Sequence, residues 1–170
     1  MEVWPAVASR REVRDYADRP IPEEAQRRIL DAGRLAGNAQ NRQPWRFVVV
    51  ESPQLREQLA DLVYTPGNVR DAALVVAIAV TGKGPVSFDA GRSAQNMMLT
   101  AWGEGVGSCP NGSPDPDAVV KLLGLREGER VAITLSFGYP ARPRDPSGRS
   151  ADEWSARAKR KPLDELVERV

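Results

Sequence analysis

Two groups of residues in this chain have the types and spacing to do chemistry. The first is Asn38-Ala39-Gln40-Asn41-Arg42-Gln43, five hydrogen-bonding side chains in six positions, closed by Pro44 and Trp45. Amides donate and accept in one plane, so such a loop suits the polar edge of a flat heterocycle. A surface turn whose Asn and Gln satisfy their own backbone is the alternative. The second group is Arg10, Arg11 and Arg14 around Glu12. In an extended chain Arg10, Glu12 and Arg14 share one side. Two guanidiniums converging on one point make a phosphate grip, each charged hydrogen bond contributing about 1.5–3 kcal/mol. A solvated basic stretch is the alternative there. Glu12 opposes an anion, by about 3 kcal/mol for unit charges at ~5 Å and an effective dielectric of ~20.

The remaining composition excludes more than it includes. With no His at all, the commonest general base, the commonest metal ligand and every Ser-His or Cys-His arrangement are absent. One cysteine, Cys109, excludes an internal disulfide and fits a reducing compartment. No His/Cys cluster suggests a metal. A net charge of +1 is far below that of a dedicated nucleic-acid binder. Only four of the 24 basic residues are Lys, and Arg is the better clamp for phosphate. No apolar run reaches the ~20 residues that span a bilayer, and the N-terminus lacks a secretory core, so a cytoplasmic protein without a membrane partner is expected. Gly103-Glu-Gly-Val-Gly107 follows a helix instead of opening one after a strand, which rules out a dinucleotide-binding loop.

The elements that must position these residues can be read in order. Residues 2–9 suit a short helix. Pro22 and two acids open a second, running from Ile21 to about Ala36. Phe47–Val50 is β-branched and bounded by turn residues, so a buried strand. Ser52-Pro53 caps a helix carrying Leu55, Leu59 and Leu62, and Tyr64–Asn68 reads as loop. Residues 72–80 are apolar throughout, as in a strand covered on both faces. A long helix over 87–104 carries an apolar arc wider than one sheet face needs, which predicts a core or subunit-interface position. Gly105–Ser113 reads as a turn, 115–123 as a helix and Arg130–Phe137 as a third strand. Residues 139–161, rich in Pro, Arg and Gly, lack hydrophobic periodicity and predict an extended arm, ending in a short docking segment over 162–170. The expectation is one α+β domain over 1–170 with a C-terminal arm over 139–170.

Taken together, SRREVRDYADRPIPEE, LAGNAQNRQPWRFVVVESPQLREQLAD, DAGRSAQNMMLTAWGEGVGSC, SFGYPARP and RKPLDELV, in this order and over essentially the entire chain, resemble the nitroreductase family of flavin enzymes. The resemblance implies an α+β fold with a central mixed sheet flanked by helices. It also implies a homodimer that binds flavin mononucleotide (FMN) between its subunits, reduced by NAD(P)H, with a small-molecule electron acceptor of nitro, quinone or enone type. Carried over, Arg10, Arg11 and Arg14 surround the phosphate with Glu12, joined by Arg160 from the arm. Asn38, Ala39 and Asn41 line the flavin and its ribityl chain, and Gln43 resembles the family's cofactor-binding glutamine in the same loop. Asn68 sits near the pyrimidine edge, and Asn111, Gly112 and Ser113 form the turn whose N–H groups face the flavin nitrogen that takes hydride. No protein side chain is implied as a catalytic acid or base. Glu12 stands where the family usually has serine, and Ala158 where it often has lysine. Relatives that fragment flavin resemble the chain in carrying an acid there. A flavin-fragmenting protein, or a non-redox FMN- or nucleotide-binding dimer on the same scaffold, is the alternative function.

Overall fold

Seven consecutive apolar residues, Leu74–Val80 (β2), are buried at every position, because this strand has neighbours on both edges and cover on both faces. On one edge lies Trp45–Val49 (β1), antiparallel, with Trp45 opposite Val80. On the other lies Arg130–Gly138 (β4), also antiparallel, with a bulge between Ile78 and Ala79. Gly107–Asn111 (β3) completes the sheet beyond β4, giving the order β1-β2-β4-β3. The expected mixed sheet is therefore antiparallel throughout its four strands. β2 and β3 do run the same way, but β4 inserts between them and opposes both. Among the described residues, parallel pairing enters only as a single bridge from Glu12 to Ser108.

The computed structural model describes residues 2–170 and divides into two compact units, Arg11–Arg144 and the segment up to Arg10 with Asp145–Val170. In the larger unit, two helices cover one sheet face: Glu23–Arg34 (α2) and Val86–Gly103 (α5). They approach closely at Gly33, where an added Cβ would lie 2.2 Å from Met97 Cε, and Ser93 Oγ donates to Gly33 O at 3.1 Å. Leu74, Val76, Ile78, Leu135 and Phe137 point into this layer, and the wide apolar arc of α5 is buried there through Ala90, Met97 and Ala101. A second core holds Val75 of β2 with Val13, Tyr16, Leu59, Val69, Trp102 and Val119. It draws on Pro53–Ala60 (α3), Pro66–Arg70 (α4) and Pro116–Leu122 (α6). Two elements differ from the sequence expectation. Tyr64–Asn68 runs into α4, and the expected turn at 105–113 contains β3. Gly-Ser-Cys-Pro-Asn has little strand propensity, and Pro110 is tolerated because it sits on the outermost strand.

In the smaller unit Val3–Ser9 (α1) packs against Ala151–Arg157 (α7). The expected extended arm over 139–161 is interrupted here. Ser150 and Glu153 form a reciprocal capping box that starts α7, and Trp154 Nε1 donates to Pro146 O at 2.9 Å. That local signature outweighs the missing hydrophobic period.

At the rim of the sheet Arg46 on β1 grips Glu129 with two hydrogen bonds of 2.8 and 2.5 Å, and Arg126 N–H donates a third at 2.8 Å. The Arg46 hydrogen bonds, foremost, hold the Glu129 carboxyl down to about 2. A carboxyl depressed in the folded state stabilises above its unfolded pKa of ~4.3, and that stability is lost as pH falls towards 2. Wild type should therefore exceed Arg46→Ala in urea-denaturation stability at pH 6, the gap closing between pH 4.5 and 2. A gap independent of pH would show that the pair contributes through packing alone.

Candidate functional site

The β3–β4 ladder places polar side chains on one face and apolar ones on the other. In Ile133-Thr-Leu-Ser-Phe137, Leu135 and Phe137 enter the α2–α5 core, and Thr134 and Ser136 face the opposite side. Register sets Cys109 opposite Ser136 and Asn111 opposite Thr134. The result is a buried polar chain. Asn111 Nδ2 donates to Cys109 O (3.0 Å) and Ser136 Oγ (3.0 Å), with Thr134 O 3.4 Å away. Ser136 Oγ donates to Cys109 O at 3.2 Å. Asn68, presented by α4, donates from Nδ2 to Asn111 Oδ1 at 2.9 Å and lies 3.5 Å from Cys109 Sγ. Tyr16 closes the chain at the other end, its Oη 3.0 Å from Ser136 Oγ and 3.3 Å from Ser136 O. Burial pushes the Tyr16 phenol well above its ordinary pKa, against the opposing effect of its hydrogen bond with Ser136. The ring can lie there because Gly138 has no side chain: a Cβ would sit 2.7 Å from Tyr16 Cδ1.

This chain forms one wall of a cavity of about 180 Å³. Arg14, Tyr64, Asn68, Cys109, Asn111 and Gly112 line it, so four of the residues singled out in the sequence meet here. Asn68 and Asn111 are almost wholly buried, and Arg14 is exposed. Tyr64 N–H donates to Gly112 O at 3.1 Å and Asp115 N–H to Ser113 Oγ at 3.0 Å. The N–H groups of Gly112 and Ser113 enter neither bond. An adjoining cavity of about 260 Å³ brings Glu12 and Arg14 beside Arg142 and Arg144. Arg11 is half-buried.

The amide loop lies elsewhere in the same unit. Ala39 and Gln43 line a different cavity, of about 230 Å³, with Arg42, Thr81, Lys83 and the buried Asp89. β1 starts opposite the end of β2, whereas Asn68 lies just before the start of β2, and this separates the two groups within one chain. Much of the loop is self-satisfied. Asn38 Oδ1 accepts from Gln43 N–H at 2.7 Å, Asn38 Nδ2 donates to Ala36 O at 3.3 Å, and Arg42 Nε donates to Gln40 Oε1 at 3.0 Å. Three of its residues nevertheless occupy the left-handed region, Gln40, Asn41 and Gln43 with φ of 54°, 53° and 49°. Such positions cost on the order of 1–3 kcal/mol each for non-glycine residues and cluster at ligand-binding segments. In the smaller unit Arg10 is the half-buried C-cap of α1, and Arg160 follows α7, exposed.

Sequence reasoning missed Tyr16, Tyr64, Thr134 and Ser136. The alternation of Thr134 and Ser136 with Leu135 and Phe137 was the available signal, because a strand that buries polar groups every second residue needs polar partners. Among the described residues no group of three or more His, Cys, Asp or Glu could hold a metal ion, and no helix is long and apolar enough to cross a membrane.

Comparison with known proteins adds a family to this geometry. A Nitroreductase family model matches residues 7–84 and 70–139. An Archaeoglobus fulgidus protein with the provisional name NADH dehydrogenase/NAD(P)H nitroreductase is 32% identical over 150 residues, 82% of this chain and 86% of that protein. A solved nitroreductase family protein from Clostridium difficile 630 superposes with a TM-score of 0.79 at 24% identity, covering 99% of this chain and 98% of that one. An FMN-dependent nitroreductase from Clostridium difficile R20291 gives a TM-score of 0.77 at 22% identity, covering 89% and 96%. The antiparallel sheet between helical layers is the nitroreductase α+β fold, and with the family match running from residue 7 to residue 139 the chain belongs to the nitroreductase family.

Proposed function

We propose that the protein is a flavin-dependent oxidoreductase that uses NAD(P)H as electron donor and FMN as cofactor. The observation that carries this reading is the cavity with an arginine, Arg14, and two buried amides, Asn68 and Asn111, in its wall. Asn68 Oδ1 accepts no hydrogen bond among the described residues, and an acceptor left open in a nearly buried amide suits an N–H-bearing ligand. A volume of about 180 Å³ accommodates the polar edge of a tricyclic ring and leaves the rest outside. The separate amide loop, Asn38, Ala39, Asn41 and Gln43, supplies the remaining wall from a second protomer. The working protein is accordingly a homodimer in the cytoplasm. The name of the Archaeoglobus relative and the FMN dependence of the Clostridium structure support the donor and the cofactor.

Bound FMN would supply the two-electron hydride chemistry. The chain's own residues bind, orient and stabilise. Arg14, with Arg11, holds the phosphate, and Arg142 and Arg144 offset Glu12 beside it. Asn68, held by its hydrogen bond to Asn111, fixes the pyrimidine edge. Gly112 and Ser113 offer backbone N–H groups where negative charge accumulates, at no reorganisation cost. No side chain need act as a general acid or base, in keeping with a chain that has no His. The acceptor is a flat, electron-poor small molecule of the nitroaromatic, quinone or enone class.

Anaerobic addition of NADH or NADPH to the FMN-loaded protein tests this. The expected result is bleaching of the flavin band and its return on adding a quinone. A flavin that binds and is not bleached by either donor would assign the protein to the non-redox binders.

A further inference from the structure

The amides of Asn68 and Asn111 can be oriented from chemistry alone. The oxygen and nitrogen of an amide are told apart by partners whose polarity is fixed. Asn111 has two: one end of its amide lies 3.0 Å from Cys109 O and 3.4 Å from Thr134 O. Backbone carbonyls only accept, so that end is Nδ2. Ser136 agrees. Its single hydrogen goes to Cys109 O, which leaves Oγ to accept from Asn111 Nδ2 and from the Tyr16 hydroxyl, kept protonated by its raised pKa. The other end of Asn111 is then Oδ1, an acceptor 2.9 Å from Asn68. The Asn68 atom facing it must be the donor, Nδ2. Asn68 lines the ~180 Å³ cavity, and its Oδ1 is left without a donor among the described residues.

We propose that Asn111 is a positioning residue: fixed by Cys109 O, Thr134 O and Ser136, it turns Asn68 so that the site shows its ligand a hydrogen-bond acceptor and selects flavins through their N3–H. This rests on the flavin reading above and adds to it a polarity and its cause. The imide nitrogen is the only ring N–H of an oxidised flavin, flanked by two carbonyls that only accept. An acceptor locked in place reads that single donor and rejects a ring in which it is blocked, because both partners would then face each other unpaired. An unlocked Asn68 could rotate its Nδ2 outward to either carbonyl and lose the discrimination.

The test is fluorescence titration with FMN and with its N3-methyl analogue. Wild type should bind FMN at least tenfold more tightly. Asn68→Ala should lower FMN affinity and leave the N3-methyl analogue unchanged, bringing the ratio to threefold or less. Asn111→Leu should also collapse the ratio, because the acceptor that orients Asn68 is gone, and Asn111→Ser serves where the leucine variant does not fold. A general structural defect would weaken both flavins by one factor and keep their ratio, and that result for the Asn111 variants would overturn the positioning role. Equal binding of both flavins by wild type would overturn the polarity while leaving the flavin reading intact. Failure of wild type to bind either would remove the flavin reading, and this inference with it.

Discussion

Arg14→Ala is expected to weaken FMN binding about tenfold and to leave riboflavin binding within twofold of wild type. Arg14 is the one predicted phosphate contact that lines the cavity holding Asn68 and Asn111. A charged hydrogen bond contributes about 1.5–3 kcal/mol, and an exposed guanidinium belongs at the low end, which corresponds to one decade in Kd. Riboflavin carries the same ring and no phosphate, so it separates loss of the anion contact from damage to the ring site. Isothermal titration of both ligands decides it. Equal loss for both, or none for FMN, would show that Arg14 does not hold the phosphate and that the anion reading of Arg10, Arg11 and Arg14 is wrong for this residue.

The largest stability change is expected at Phe137. Its ring is fully buried on β4, opposite Leu74, in the layer beneath α2 and α5. Phe137→Ala removes the ring and leaves a void that close-packed neighbours fill only in part, at about 3–5 kcal/mol. With a urea m-value of about 2 kcal/mol/M, the midpoint should fall by roughly 2 M. The same strand carries Ser136 on its opposite face, so flavin affinity should suffer as the strand loosens. A midpoint shift below about 0.5 M would mean that the core does not depend on this ring.

How much was legible in the sequence follows from which forces are local. Val-rich β1 and β2 and the period of α2 and α5 announce themselves, since burial needs apolar residues at a fixed spacing. β3 did not, because Gly-Ser-Cys-Pro-Asn is held by its register with β4 and by the Glu12 bridge, both non-local. α7 was hidden for a different reason. Its start is set by the Ser150–Glu153 capping box, a signal easily passed over in a stretch without hydrophobic period. At the site, residue types pointed to Arg14 and the family resemblance to Asn68, Asn111 and Gly112, and the structure gathers these four around one cavity. The amide loop reads both ways. Asn38 satisfies its own backbone, as a plain turn would, while the left-handed Gln40, Asn41 and Gln43 hold strain that a plain turn does not require. The pairing of Tyr16 with Ser136 was out of reach, because the bond that joins them crosses 120 positions of sequence.

The account turns on one claim, that the cavity beside Asn68 and Asn111 takes the polar edge of a flavin. A crystal structure of the protein grown with saturating FMN tests it most directly. The account predicts the flavin imide edge at about 3 Å from Asn68 Oδ1, the phosphate against Arg14, and the 38–43 loop of a second protomer along the ring. FMN bound elsewhere on the molecule, or this cavity filled by protein side chains at saturating cofactor, would contradict it.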